Sequence, residues 1–145
     1  AIYRNGRTLA LASRHNTLIQ NNTGIEALLK SRELTLLVKD GYSYGAFIDQ
    51  LIARLKPVTY HVAQESEYML QMLENGQQNY LFTTEEEAAS LIERLNKRKT
   101  DFQLLFFDGM PPGETRHIVC SRRVEDAIIE RLNRALRQQP MDSTP

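Results

Sequence analysis

No apolar run in the sequence approaches the roughly 20 residues that a bilayer-spanning helix needs. The start, Ala1-Ile2-Tyr3-Arg4-Asn5-Gly6, lacks the charged-then-apolar layout of a signal peptide. Neither charge is in excess. Lysine plus arginine and aspartate plus glutamate number 18 each in 145 residues, so no net field draws the chain to nucleic acid or an anionic membrane. Cys120 is the sole cysteine, which excludes an internal disulfide, and its expected place is that of a small buried residue in a strand.

Chemical motifs are scarce as well. His15, His61 and His117 are widely separated and none has a second ligand at metal spacing, so no metal site is expected. There is no Gly-Lys-Ser/Thr phosphate loop and no three-glycine dinucleotide fingerprint, hence no nucleotide cofactor. No serine or cysteine sits in a nucleophile elbow, and no acid and base pair is legible. The reading is a binding protein rather than an enzyme, with no catalytic residue assigned.

What the chain does carry is an alternation of short apolar runs with amphipathic stretches. Thr8 to Ala12 (TLALA) and Leu34 to Val38 (LTLLV) have strand length, and the second is apolar throughout, as in a strand covered on both faces. Ile48, Leu51, Ile52 and Leu55 fall at i, i+3, i+4 and i+7, which predicts a helix over Ala46 to Leu55 that Pro57 stops. Val58 to Val62 is strand-like. Ser66 is placed to cap a helix carrying Met69, Met72 and Leu73, closed by Gly76.

Asn79 to Thr83 is the next strand. Thr84-Glu85-Glu86-Glu87 has capping-box spacing ahead of Ala88, Leu91, Ile92 and Leu95. A short helix over Gly24 to Lys30, strands over Phe102 to Phe107 and Arg116 to Ser121, and a last helix from about Val124 to Arg137 complete the pattern. This order predicts an α/β fold: an open, mostly parallel, doubly wound sheet with helices on both faces. A single domain over residues 1–137 is expected, followed by a polar, disordered tail over 138–145. The chain opens without methionine and almost directly in a strand-like run, so it is expected to be a piece of something longer.

Open α/β sheets bind ligands beyond the carboxyl ends of their strands, and two connections qualify. Lys39-Asp40-Gly41-Tyr42-Ser43-Tyr44-Gly45 leaves a buried strand and enters a helix, so its N–H groups and the helix dipole suit an anionic ligand group. The alternative is a plain turn with Ser43 as cap. At Thr83-Thr84-Glu85 the Thr84 hydroxyl either meets a ligand or caps the helix, and the glutamates that follow answer the helix dipole.

From Thr8 to about Leu136 the order of elements resembles the second lobe of the family 3 type of periplasmic solute-binding proteins. Leu34 to Gly45 resembles that lobe's first strand and glycine-serine loop, Met69 to Gly76 its leucine-acid-any-glycine helix end, and Arg123 to Leu136 (RVEDAIIERLNRAL) the helix after its return strand. The resemblance implies a periplasmic binding protein type II lobe with hinge strands over 1–12 and 116–121. It places the solute against Gly41, Tyr42, Ser43 and Tyr44, with Thr84 where the family usually has an aspartate for the ligand's ammonium. It further implies capture of a small polar solute in the periplasm, against a first lobe missing from this chain, and delivery to an ABC permease or a sensor. The alternatives are the effector-sensing domain of a LysR-type transcription regulator and the extracytoplasmic sensing module of a signalling receptor. Without its first lobe the piece is expected to self-associate, as a homodimer for example.

Overall fold

The structure is a computed structural model, and it describes residues 2–4, 6–20, 22–113 and 115–138. Its elements run β1 (Ile2–Arg4), β2 (Thr8–Ser13), α1 (Ile25–Lys30), β3 (Thr35–Lys39), α2 (Ala46–Leu55), β4 (Val58–Val62), α3 (Ser66–Glu74), β5 (Tyr80–Thr84), α4 (Glu85–Arg94), a 3-10 turn (Lys99–Asp101), β6 (Phe102–Leu105), β7 (Thr115–His117) and α5 (Asp126–Gln138). They form two compact units, residues 7–111 and residues 1–6 with 112–145.

The larger unit is a five-stranded sheet in the order β4-β3-β5-β2-β6. β3 runs parallel to β4 and β5, while β2 runs antiparallel to β5 and β6, so every strand but β2 points the same way. The expected mostly parallel sheet is therefore present, with β2 as its one reversed strand.

Strand periodicity distributes the core to two faces. Ala10, Ala12, Leu36, Tyr80 and Phe82 point to the face covered by Leu28 and Leu29 of α1 and Ile48 and Leu51 of α2. Leu11, Leu37 and Leu81 point to the face covered by Met69, Leu70, Met72 and Leu73 of α3 and by Ala88, Leu91 and Ile92 of α4. This is the doubly wound arrangement. Each fully buried leucine contributes about 1.5–3 kcal/mol relative to exposure.

Local chemistry fixes the ends. Lys56 turns left-handed at φ 47° ahead of Pro57, ending α2, and Gly76 at φ +69° follows α3, where a side chain would be strained. The Thr84 hydroxyl accepts the Glu87 N–H at 3.3 Å and caps α4. The cap of α3 differs from expectation: Glu65 is the N-cap residue, without a side-chain capping bond, and Ser66 is the first helical residue.

The smaller unit pairs β1 antiparallel with β7 through Ile2↔His117, Tyr3↔Arg116 and Arg4↔Thr115, and α5 accompanies them. Two expectations change here. Residues 1–12 do not form one strand: Gly6 and Arg7 lie outside any strand, as an asparagine-glycine pair favours, and β1 and β2 belong to different units. The strand expected over Arg116 to Ser121 ends at His117. Cys120 thus lies beyond the strand and is half-buried rather than buried. α5 runs to Gln138, the first residue of the expected tail. The rest of that tail, 139–145, lies outside the described residues.

Candidate functional site

β3 delivers the chain at Lys39 to the connection that enters α2. The Asp40 N–H donates to the Val62 carbonyl at 2.8 Å, tying the connection to β4, and the Tyr42 N–H donates to the Lys39 carbonyl at 3.2 Å. Gly41 and Gly45 have φ of +69° and +91°, values that glycine adopts without strain. The Tyr44 hydroxyl folds back and accepts the Lys39 N–H at 3.1 Å. Its ring stands edge-on to Phe82, with centroids 6.0 Å apart, and to Tyr42 at 5.3 Å. Burial lifts the Tyr44 hydroxyl above the ordinary tyrosine range, against the pull of the Lys39 hydrogen bond, so it stays protonated.

Several donors of this loop are engaged within the chain. Asp49, one turn into α2, accepts the Tyr44 N–H at 3.0 Å and the Ser43 hydroxyl, while the Gly45 N–H donates to the Ser43 oxygen at 3.2 Å. A carboxylate of the chain itself therefore sits where an anionic ligand group would approach. Gly45, not Ser43, is the N-cap residue of α2.

Beyond the carboxyl ends of β3 and β5 lies a cavity of about 440 Å³. Its walls are Tyr42 and Tyr44 on the loop side, Phe82 and Leu81 of β5 at the base, and Met69 of α3 with Leu91 of α4 opposite. Polar groups ring it: Lys39, Ser66 and Thr83 at the strand and helix ends, and Glu86, Glu87, Ser90 and Arg94 along α4. Lys39 pairs with Glu65 at 3.2 Å and Arg94 with Glu67 at 3.0 Å. The Thr83 hydroxyl donates to the Glu87 carboxylate at 3.1 Å. The arrangement is a concave pocket with three aromatic rings on its walls and ionisable groups at its margin, suited to holding a small polar molecule. Among the described residues no three metal-ligating side chains cluster, and no helix is long and apolar enough to cross a membrane.

Of the residues named from sequence, Tyr42 and Tyr44 line this cavity, whereas Gly41 and Ser43 shape the loop behind it. Thr84 is 6% exposed and engaged as the cap of α4, and it is Thr83 that reaches the cavity. Strand parity accounts for the exchange: Thr83 follows Leu81 toward the face of α3 and α4, while Thr84 follows Tyr80 and Phe82. Sequence reasoning missed Lys39, Ser66, Ser90 and Arg94. The i, i+4, i+8 spacing of Glu86, Ser90 and Arg94 was the available signal, a polar stripe along one face of α4.

No family model and no curated protein sequence matches the chain. Solved structures do match its fold. An ancestral arginine-binding protein bound to arginine superimposes with a TM-score of 0.54 at 15% identity, covering 99% of this chain and 60% of the other. The substrate-binding protein of an amino acid ABC transporter gives 0.56 at 11% identity, covering 94% and 54%. The regulatory domain of CcmR from Synechocystis PCC6803, in complex with 2-PG, gives 0.62 at 12% identity, covering 94% and 65%. The chain has the fold of a periplasmic-binding-protein lobe, of the type found in amino-acid ABC substrate-binding proteins. It spans 60% of the length of the arginine-binding protein it matches.

Proposed function

We propose that this chain is the ligand-capturing lobe of a solute-binding protein of the periplasmic type, closing on a small polar solute together with a first lobe and delivering it to an ABC-type permease. The observation that carries the reading is the 440 Å³ cavity beyond the carboxyl ends of β3 and β5, walled by Tyr42 and Tyr44. A cavity at that end of an open α/β sheet is the usual place for a ligand, and the fold is shared with proteins that bind arginine and amino acids. Tyr42 and Tyr44 contact the solute, Thr83 adds a hydroxyl, Gly41 and Ser43 hold the loop, and Thr84 fixes the start of α4.

A second reading, an effector-sensing domain of a transcription regulator, is favoured by the likeness to the CcmR regulatory domain. Location and binding separate the two. Fractionation of cells expressing the full-length gene product is expected to find it in the periplasm. Titration of that product with arginine, glutamine and other small polar solutes is expected to find one bound near the micromolar range, about −8 kcal/mol. Tyr42→Ala is expected to weaken that binding about tenfold or more. Cytoplasmic retention would favour the regulator, and unchanged affinity in Tyr42→Ala would remove the cavity from the reading.

A further inference from the structure

We infer that the cavity selects a small organic cation, an ammonium or guanidinium group on a short flat or aliphatic body, over anionic solutes of the same size. The inference rests on the reading of the cavity as the solute site and adds the charge of its occupant.

Three independent features point the same way. The loop entering α2, otherwise the natural anion receptor, has four of its donors engaged within the chain: Tyr44 N–H and the Ser43 hydroxyl by Asp49, Gly45 N–H by the Ser43 oxygen, and Tyr42 N–H by the Lys39 carbonyl. An incoming carboxylate would have to displace the negative charge of Asp49.

The charges at the margin are unequally matched. Each cation there already has an acid from outside the lining, Glu65 for Lys39 and Glu67 for Arg94. The lining acids have no such partner: among the described residues no cation pairs with Glu86, and Glu87 takes only the Thr83 hydroxyl and no cation. The lining holds two cations and two carboxylates, and because both cations are already paired with acids from outside it, the charge left unmatched at the margin is negative.

The aromatic wall has the same preference. Tyr42 is 48% exposed and presents to the cavity a ring braced edge-on by Tyr44, and the face of a tyrosine attracts cations through its quadrupole. Glu86 and Glu87 line the same cavity as this ring, so a cation held there meets both carboxylate and aromatic surface.

Agmatine, which carries an ammonium and a guanidinium, and glutarate, a dianion of similar length, test this with the 145-residue chain itself. Amide chemical shifts are followed by NMR during titration at matched ionic strength. Agmatine is expected to move the amides of Tyr42, Thr83 and Glu87 saturably, and glutarate to leave them in place. The double substitution Glu86→Gln with Glu87→Gln keeps side-chain size and an acceptor for Thr83, so its spectrum reports directly that it folds. It is expected to lower agmatine affinity about tenfold or more. Glutarate shifting these amides while agmatine does not would overturn the charge assignment and leave the cavity standing. Agmatine binding unchanged in the double variant would also overturn it. Silence of the cavity amides toward both probes would overturn the cavity reading itself, and this inference with it.

Discussion

The Asp49 carboxylate, one turn into α2, accepts the backbone N–H of Tyr44 at 3.0 Å, and its second oxygen takes the Ser43 hydroxyl. A helix residue thereby holds the loop that precedes its own helix. Hydrogen bonds to a charged acceptor contribute about 1.5–3 kcal/mol each when protected from water, and less at a half-exposed position such as this one. Asp49→Ala is therefore expected to lower stability by about 1–2 kcal/mol, and Asp49→Asn by less, since its amide oxygen still accepts one donor. Urea unfolding midpoints measure both. Asp49→Ala also releases the loop's donors, so glutarate, excluded from the parent chain, should begin to shift the Tyr44 amide. An unchanged midpoint together with no response to glutarate would show that Asp49 does not hold the loop in solution.

Neighbouring threonines at the end of β5 do different work, and substituting them one at a time should separate stability from binding. Thr84 is buried and caps α4, so Thr84→Ala is expected to cost about 1 kcal/mol, largely restored in Thr84→Ser. Thr83 donates to Glu87 at the cavity margin, so Thr83→Val should leave the unfolding midpoint within about 0.5 kcal/mol while changing solute affinity. A destabilised Thr83→Val with normal binding would reverse the assignment of these two side chains.

How far the sequence foretold this structure depends on whether the deciding contacts are local. α2 was legible because Ile48, Leu51, Ile52, Leu55 and Pro57 state both its buried face and its end, and the Thr84 cap declared the start of α4. The five sheet strands fall within two residues of expectation for the same reason. The reversal of β2 was not legible, because strand direction is decided by which neighbours it pairs with, β5 and β6, both distant in sequence. Nor was the cavity: Lys39, Ser66, Thr83 and Arg94 come from four elements, and no spacing within one element announces their meeting. Tyr42 and Tyr44 were found because they lie on the loop that the sheet rule singles out. Asp49 was overlooked because an acid in a first helical turn already has a sufficient explanation in the dipole.

Tyr80 carries the one buried side-chain polar atom without a partner among the described residues, in the core cluster that holds Leu28, Leu29, Leu36 and Ile48. Removing a polar atom that makes no bond costs nothing in hydrogen bonding, so Tyr80→Phe is expected to be neutral or stabilising by about 1 kcal/mol. Burial also pushes the pKa of this hydroxyl well above the ordinary tyrosine value. The unfolded chain then gives up its proton first, so the stability Tyr80 contributes is complete below about pH 10 and is lost as pH rises beyond it. Tyr80→Phe should accordingly lose less stability than the parent between about pH 10 and 11. Tyr44, shifted the same way, remains in both proteins and cancels in the comparison. A loss of more than about 1 kcal/mol at neutral pH would mean the hydroxyl has a partner, such as a buried water.

The smaller unit bears on association. α5 has no buried residue although Ile128, Ile129, Leu132 and Leu136 recur at helical spacing along it, and Ile128 is 45% exposed. Val119, in the stretch that follows β7, is 90% exposed. Apolar side chains left in water on a helix face and a neighbouring segment favour association, each contributing about 1.5–3 kcal/mol if fully covered. The chain is therefore expected to self-associate as its concentration rises, with sedimentation coefficients moving from monomer toward dimer across the micromolar range. Ile128→Glu places a charge at the exposed start of this stripe, at a residue that supports no core, so it should shift that transition to higher concentration without lowering the unfolding midpoint of the larger unit. Joining the chain to a first lobe that covers the same side chains should abolish the transition as well. Sedimentation as a monomer at every concentration would show that the exposed residues of α5 and Val119 do not recruit a second copy.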